Sequence, residues 1–275
     1  MNLTCYDYLK VFANKTGDYD AVLAFGSKTK LSRIIRDADY IAAYINSTGI
    51  KSGDVVTIFL PNVVHAFTTF YALNKIGVIA NIVHPLTSPE ALVENIVFTK
   101  SKSIFILDIL AEKYVDSLNK CNIPVIVCSN SDYLIVPVVP AFKVFEKVKG
   151  KGIDGLKNSI KYSKAVSIGS KKKSIDCHDG SKIAVYLHGG GTTGKSKTIK
   201  LTSRSINELT CRVSDIDEIH DPGEEAEVIV LPLFHCFGLC IGIHMAMCSS
   251  GPGWASPFRR CPAPPPPRRP SWSLT

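Results

Sequence analysis

Residues 188-HGGGTTGKSKTI-199 give the strongest indication of fold class in this 275-residue chain. Residues 189–196 spell G-x-x-x-x-G-K-S, the phosphate loop of nucleotide hydrolases. Glycines let the backbone approach a phosphate closely, while unpaired N–H groups, threonine hydroxyls and lysines supply donors and positive charge. In the hydrolases the loop leads directly into a helix whose N-terminus faces the phosphates. The residues that flank the loop therefore test this assignment.

The residues after the loop favour a strand over a helix. In 198-TIKLT-202, Ile199 and Leu201 alternate with Lys200, which is the pattern of a strand. The apolar stretch 183-IAVYL-187 predicts another strand directly before the loop, and a helix is predicted only from about residue 203 or 205 to 219.

A second requirement of the hydrolases is also missing. They need a carboxylate at the end of a later strand to hold magnesium, and the best candidate strand, 228-VIVLP-232, ends without one. We therefore predict a strand, a glycine loop and a second strand, with the hydrolase as the weaker alternative.

The rest of the chain alternates strands with helices, which predicts an α/β fold of layered, largely parallel sheets flanked by helices. Residues 31–49 have helical spacing of apolar residues and end at Gly49, a residue typical of helix C-termini. Two helix starts are predicted with caps at Asn62 and, in a capping box with Glu90, at Thr87. Continuous apolar runs predict buried strands at 55-VVTIFL-60, 78-VIANIV-83, 104-IFIL-107 and 124-PVIVC-128.

The domain organisation follows from where this regularity holds. Residues 1–250 are predicted to form one partial domain, in which 129–180 is a less regular connecting region. Residues 251–275 are rich in Pro and Arg and contain no Lys, Ile, Val, Asp or Glu. The abrupt change favours a shifted reading frame or a chimeric join over a genuine disordered or partner-binding tail.

The net charge of +8 does not indicate nucleic-acid binding. Ten lysines lie between residues 141 and 173, without aromatic residues at regular spacing, so a solvated surface is the better interpretation. The nine cysteines include no C-x-x-C pair, which favours reduced thiols in the cytoplasm. Cys236 and Cys240 are four residues apart, as two residues on one helix face are, and we expect no metal site there.

Neither the N-terminus nor the longest uncharged run suggests a membrane protein. The start, MNLTCYDYLK, lacks the pattern of a signal peptide. Residues 228–248 carry no charged side chain, but Pro232 and two glycines interrupt them. We expect a strand at 228–231, a loop and a buried helix, and no stable membrane span.

Four segments together resemble the adenylate-forming superfamily, in particular the acyl-CoA synthetases, over roughly residues 1–250. The glycine loop is similar to the family's S-G-T-T-G-x-P-K-G-V loop, with Gly190 for serine, Ser196 for proline and Thr198 for glycine. The other three segments match in the family's order: 50-IKSGDVVTIFLPN-62, 73-LNKIGVIANIVHPLTSPEAL-92 and 231-LPLFHCFGL-239.

The resemblance implies the N-terminal part of the large domain of these enzymes, and a two-step reaction. A carboxylate would attack ATP, with Mg²⁺, to give an acyl-adenylate and pyrophosphate, and the thiol of coenzyme A or of a carrier protein would then displace AMP. The ATP phosphates would be bound by Gly189, Gly190, Gly191, Thr192, Thr193, Gly194 and Lys197, with Lys195 as the alternative lysine. His235 would position the acyl or adenylate group, or else be a structural histidine. His84 and His188 are interpreted as structural.

The family's later elements do not occur in these 275 residues. We find no Y-G-x-T-E segment for adenine and magnesium, no T-G-D segment for the ribose and no C-terminal domain with its lysine. A truncated chain with little or no activity is therefore expected, and a non-catalytic nucleotide-binding remnant is a further alternative. Phe234 and Phe237 favour an apolar acyl group, but the sequence does not identify the acid.

Overall fold

Strands and helices alternate along the chain in the computed structural model, which describes residues 2–134, 155–189, 197–214 and 229–249. The strands are β1 (Asp20–Ala24), β2 (Ser27–Lys30), β3 (Val55–Phe59), β4 (Ile79–Ile82), β5 (Ser101–Leu107), β6 (Val125–Cys128), β7 (Ser159–Lys161), β8 (Ile183–Gly189) and β9 (Lys197–Thr202). The helices are α1 (Cys5–Thr16), α2 (Leu31–Ser47), α3 (Val64–Lys75), α4 (Pro89–Thr99), α5 (Asp108–Cys121), α6 (Tyr162–Gly169), α7 (Ser203–Ser214), a π-helical segment (Gly238–Met245) and α8 (Ala246–Ser249).

Seven strands form one sheet in the order β7-β6-β5-β3-β4-β8-β9, and β1 and β2 form a separate hairpin. All neighbours in the large sheet run parallel, except that β9 is antiparallel to β8. Helices connect most of the parallel strands, as parallel pairing requires. The predicted α/β class with a largely parallel sheet is confirmed.

Each face of the sheet packs against its own group of helices. In β5, Phe105 and Leu107 join the core formed with α1, α2, α3 and α6, whereas Ile104 and Ile106 join the core formed with α4 and α5. Both faces are therefore buried. Burial on both faces explains why these strands are apolar runs and not alternating patterns.

The amphipathic helix predicted at 31–49 is confirmed as α2, and Gly49 follows it with a φ of +88°, which glycine adopts without strain. Both predicted caps are wrong. The cap of α3 is Val63, whose side chain has no polar atom and makes no hydrogen bond, while the Asn62 side chain bonds the backbone at Leu231 and Leu233 instead. The cap of α4 is Ser88, whose hydroxyl accepts from the Ala91 N–H, because Pro89 occupies the first helical position.

The region after residue 155 contains regular structure that the sequence pattern did not reveal. Strand β7 pairs with β6 at the sheet edge, and α6 packs on α2. A Cβ at Gly169 would lie 1.8 Å from the Tyr40 carbonyl oxygen, so glycine permits the close approach of these helices. With three residues, half exposed to exposed, β7 is too short to show a period.

The strand predicted at 228–231 is wrong for residues 229–231, which have no strand structure. Val230 is 78% exposed, and the backbone at Leu231 is hydrogen-bonded to a side chain instead of a neighbouring strand. The predicted buried helix after the loop is confirmed, as the π-helical segment and α8. Among the described residues, no helix combines the length and the hydropathy needed to cross a bilayer. The tail from 251 onward lies outside the described residues.

Candidate functional site

The glycine loop connects two paired strands. Strand β8 ends at Gly189 and β9 begins at Lys197, and these two residues are directly opposite each other in the antiparallel register. Lys197 is exposed. Of the predicted phosphate-binding residues, the structure therefore brings Gly189 and Lys197 together. The others lie outside the described residues: Gly190, Gly191, Thr192, Thr193, Gly194 and Lys195.

The structure distinguishes between the two phosphate loops. The hydrolase loop requires a helix beginning at about Lys195 or Ser196. Instead, residues Lys197–Thr202 form β9, and α7 begins only at Ser203. The Ser205 N–H donates to the Thr202 hydroxyl at 3.1 Å, which defines the helix start. The hydrolase assignment is wrong, and the predicted strand, loop and strand are confirmed at both stems.

A side chain that follows β3 holds the segment that contains His235. The Asn62 Nδ2 donates to the Leu231 carbonyl oxygen at 3.0 Å, and the Leu233 N–H donates to Asn62 Oδ1 at 2.8 Å. These bonds fix the backbone on both sides of Pro232. The sequence pattern predicts a helix cap at Asn62. An asparagine side chain, however, can bond any nearby backbone, including one 169 residues away in sequence.

His235 lies in a tight turn after Pro232. Its N–H donates to the Pro232 carbonyl oxygen at 3.0 Å, and its own carbonyl oxygen accepts from the Leu239 N–H at 3.0 Å. The ring of Phe234 lies between two histidines, with its centroid 4.1 Å from that of His84 and 4.7 Å from that of His235. Both histidines are exposed. His84, interpreted as structural, thus contacts the segment that carries the candidate histidine.

These features share one edge of the sheet. Strands β3, β4 and β8 are neighbours and parallel, so Asn62, His84 and the glycine loop all follow carboxyl ends. Asn81 of β4 is opposite Tyr186 of β8, and both His84 and Gly189 come three residues later. Ligands of open α/β sheets bind outside the carboxyl ends of the strands. The arrangement places the loop stems and the His235 segment where such a ligand would bind.

Two cysteines, Cys236 and Cys240, lie close to each other next to His235 in the chain. The Sγ atoms of Cys236 and Cys240 are 3.8 Å apart, on one side of the helical segment, as expected. Within the described ranges, no group of three or more His, Cys, Asp or Glu side chains could hold a metal ion.

The fold and this edge define an α/β protein in which a glycine-rich segment joins two antiparallel strands at the carboxyl edge of a largely parallel sheet. The family model described as "AMP-binding enzyme" matches residues 9–262. The chain belongs to this family of adenylate-forming enzymes.

Curated relatives in this family include CoA ligases. The chain is 27% identical over 250 residues to a long-chain-fatty-acid–CoA ligase of Bacillus subtilis, covering 86% of this chain and 43% of the relative. It is 21% identical over 250 residues to 4-coumarate–CoA ligase 2 of Petroselinum crispum, covering 88% and 42%. The chain thus spans less than half the length of these relatives.

Solved structures agree on the fold. The anthranilate CoA ligase AuaEII in complex with anthranoyl-AMP superposes with a TM-score of 0.71 at 12% identity, covering 91% of this chain and 44% of that one. MbtA of Mycobacterium smegmatis superposes with a TM-score of 0.72 at 20% identity, covering 91% of this chain and 43% of MbtA. The chain therefore has the fold of the N-terminal part of adenylate-forming enzymes.

Proposed function

We propose that this chain takes part in ATP-dependent adenylation of a carboxylic acid, followed by thioester formation with coenzyme A. The observation that carries the proposal is the strand β9 directly after the glycine loop, at the same sheet edge as the His235 segment. A hydrolase loop does not have these surroundings. The names of the relatives, which are CoA ligases for long-chain fatty acids and for 4-coumarate, support coenzyme A as the thiol.

In the proposed first step, a carboxylate oxygen of the acid bonds to the α-phosphorus of ATP. The bond from that phosphorus to the bridging oxygen of the β-phosphate breaks, and pyrophosphate leaves. Negative charge builds on the leaving phosphates, so fixed donors close to them lower the barrier. We assign this role to the loop backbone, to the hydroxyls of Thr192 and Thr193, and to Lys197, with Lys195 as the alternative cation.

In the proposed second step, the thiol of coenzyme A, which loses its proton, bonds to the acyl carbon and AMP leaves. We propose that His235 positions the carboxylate or the adenylate, because it is exposed beside the ring of Phe234 at the carboxyl edge. Phe237, which is 58% exposed on the same turn, supports an apolar acyl group. A fatty acid is consistent with both features.

We further propose that these 275 residues do not complete either step by themselves. The chain spans 43% of the Bacillus subtilis relative, and the family's adenine, ribose and C-terminal lysine elements do not occur in its sequence. A loop that binds phosphates does not orient acid and ATP for in-line attack without them. Mg²⁺ would arrive with ATP, because this ion is usually bound through substrate phosphates together with one or two carboxylates. The proposed setting is the cytoplasm, which suits the absence of disulfide bonds among the described cysteines.

Calorimetric titration of the chain with pyrophosphate and with MgATP tests the phosphate-binding role. We expect binding that Lys197→Gln weakens about tenfold, because a charged hydrogen bond contributes on the order of 1.5 kcal/mol. Lys200→Gln is the matched control, since Lys200 lies on the same strand but beside the Tyr186 ring. Equal affinities of wild type and Lys197→Gln would remove Lys197 from the site, and no binding by wild type would contradict the proposal.

Exchange of labelled pyrophosphate into ATP tests the catalytic role. The chain alone should show no exchange with any acid, and a polypeptide that continues residues 1–249 with the remaining part of the Bacillus subtilis relative should show exchange only when an acid is added. Robust exchange by the chain alone would contradict its proposed incompleteness.

A further inference from the structure

A row of polar side chains crosses the interior of the sheet and ends beside the glycine loop. It takes one residue from each of five neighbouring strands, β5, β3, β4, β8 and β9: Ser101, Thr57, Asn81, His188 and Thr198. We call this row the cross-strand ladder. The first three are buried, which is unusual for polar side chains in the middle of a parallel sheet. Buried polar groups that are fully hydrogen-bonded rigidify the structure around them.

In the buried part of the ladder, each side chain donates its hydrogen bond toward Ser101. The Ser101 hydroxyl donates to the Ser103 carbonyl oxygen at 3.2 Å. Because a carbonyl oxygen can only accept, Ser101 Oγ must act as the acceptor for the next residue of the ladder. The Thr57 hydroxyl donates to Ser101 Oγ at 2.7 Å, and Asn81 Nδ2 donates to Thr57 Oγ1 at 2.9 Å. The same Nδ2 donates to Asn95 Oδ1 at 2.7 Å. The amide of Asn81 is therefore oriented with its oxygen toward β8.

That orientation fixes the tautomer of His188. Asn81 Oδ1 can only accept, and it lies 2.7 Å from His188 Nε2, so this nitrogen carries the hydrogen. Asn95 Nδ2, 3.2 Å from the same nitrogen, is then a neighbour and not a donor to it. The other ring nitrogen, Nδ1, is free to accept from the Thr198 hydroxyl at 3.3 Å. Burial lowers the pKa of His188, which keeps the ring neutral as this pattern requires.

We propose that His188 is a positioning residue, which fixes the two stems of the glycine loop for phosphate binding. His188 and Thr198 are opposite each other and adjacent to the Gly189 and Lys197 pair where the loop begins and ends. His188 therefore links the stem carrying Lys197 to the buried part of the ladder. Partners of this kind, which orient residues that touch the ligand, commonly contribute tenfold or more to affinity in metal sites. The phosphate role rests on the proposed function, but the fixing of the stems does not.

Hydrogen exchange measured by mass spectrometry tests the fixing of the stems without any ligand. Thr198→Val removes the hydroxyl at nearly constant volume, and His188→Leu removes both ring contacts. We expect amides in 183–189 and 197–202 to exchange at least fivefold faster in both variants, while α1 is unchanged. Thr16→Val is the control, because it removes a hydroxyl bonded to Phe12 at the end of α1. Unchanged exchange in the stems of Thr198→Val would overturn the proposal.

Pyrophosphate titration then tests the consequence for binding. We expect about fivefold weaker binding for Thr198→Val, about tenfold for His188→Leu, and an affinity within threefold of wild type for His188→Gln, whose amide can both donate to Asn81 and accept from Thr198. Wild-type affinity in both Thr198→Val and His188→Leu would overturn the positioning role. A wild-type chain that binds no pyrophosphate would instead overturn the proposed function, and the exchange experiment would still decide whether His188 fixes the stems.

Discussion

The two segments that carry the candidate site are held in place in different ways. The stems of the glycine loop belong to the seven-stranded sheet and are paired residue by residue, and the cross-strand ladder adds side-chain bonds. Residues 229–235 pair with no strand in the described part of the chain. They depend on the side chain of Asn62 and on the helical segment that follows them.

This difference indicates how the site divides its tasks. The sheet gives the loop stems a rigid base, which suits the role proposed for the loop, to hold phosphates in one geometry. The His235 segment is fixed at few points, so changes there should have local effects that differ sharply between neighbouring residues.

The buried histidine of the π-helical segment, His244, should make the free energy of unfolding depend on pH. His244 is fully buried. Its Nδ1 lies 3.0 Å from the Tyr71 hydroxyl and its Nε2 lies 2.9 Å from Asn207 Oδ1. Burial lowers the pKa of His244 from 6.5 to about 3. The unfolded chain binds a proton below about pH 6.5 that the folded chain excludes. The free energy of unfolding should therefore be highest above pH 6.5, as far as His244 contributes to it. It should fall by several kcal/mol as the pH drops toward 3, at about 1.4 kcal/mol per pKa unit.

Urea unfolding of wild type and His244→Gln across this pH range measures the effect. The variant should be less stable at pH 7 and should lose less stability on acidification, whereas His178→Gln, which changes an exposed histidine, should follow wild type. Parallel curves for wild type and His244→Gln would show that His244 does not link folding to pH.

The turn after Pro232 should tolerate no side chain at Gly238. A Cβ there would lie 2.1 Å from the Pro232 carbonyl oxygen and 2.9 Å from that of Leu231. We expect Gly238→Ala to lower the free energy of unfolding by about 3 kcal/mol, the upper range for overpacking. Gly242→Ala, on the same helical segment, would meet only Ile229 at 3.5 Å and should cost far less. Equal costs in urea unfolding would contradict this close approach of Gly238 to the backbone of the turn.

The two hydrogen bonds of Asn62 should stabilise residues 229–240 against local unfolding by about 2 kcal/mol, since each contributes roughly 1 kcal/mol. Asn62→Ala should increase hydrogen exchange in 229–240 and leave the loop stems unchanged. Asn119→Ala is a matched control, because Asn119 bonds Gly155 and Lys157 in the same two-sided way at the opposite part of the sheet. Faster exchange in the stems of Asn62→Ala would show that the two segments are coupled.

Removal of residues 251–275 should have the smallest effect. Their composition offers little to a core shared with residues 1–250. We expect the midpoint of thermal unfolding to change by less than about 2 °C, which corresponds to about 0.5 kcal/mol. A large loss of stability on deletion would show that the tail is part of the domain.

The sequence predicted the elements of this fold where one physical signal dominates. Strands buried on both faces require apolar runs, so β3, β4, β5 and β6 could be located within one to three residues. Helix α2 could be located because its apolar face repeats, and the strand after the glycine loop because Ile199 and Leu201 alternate with lysine. That alternation alone was sufficient to favour a strand over the helix of a hydrolase loop.

The remainder depends on contacts between distant parts of the chain. Asn62 has the sequence context of a helix cap, and only the position of Leu231 in space gives it another role. The same holds for the cross-strand ladder. Asn81 and His188 are 107 residues apart, and the sequence around either residue does not reveal that the two are in contact. The stems of the candidate site could be predicted, but the bonds that orient them could not.

Phosphorus NMR of the chain mixed with MgATP and no added acid tests the proposed function most simply. We expect shifted or broadened ATP resonances, from binding at the glycine loop, and no growth of inorganic phosphate or ADP over hours. Steady formation of ADP and inorganic phosphate, abolished by Lys197→Gln, would contradict it and would assign the loop to nucleotide hydrolysis.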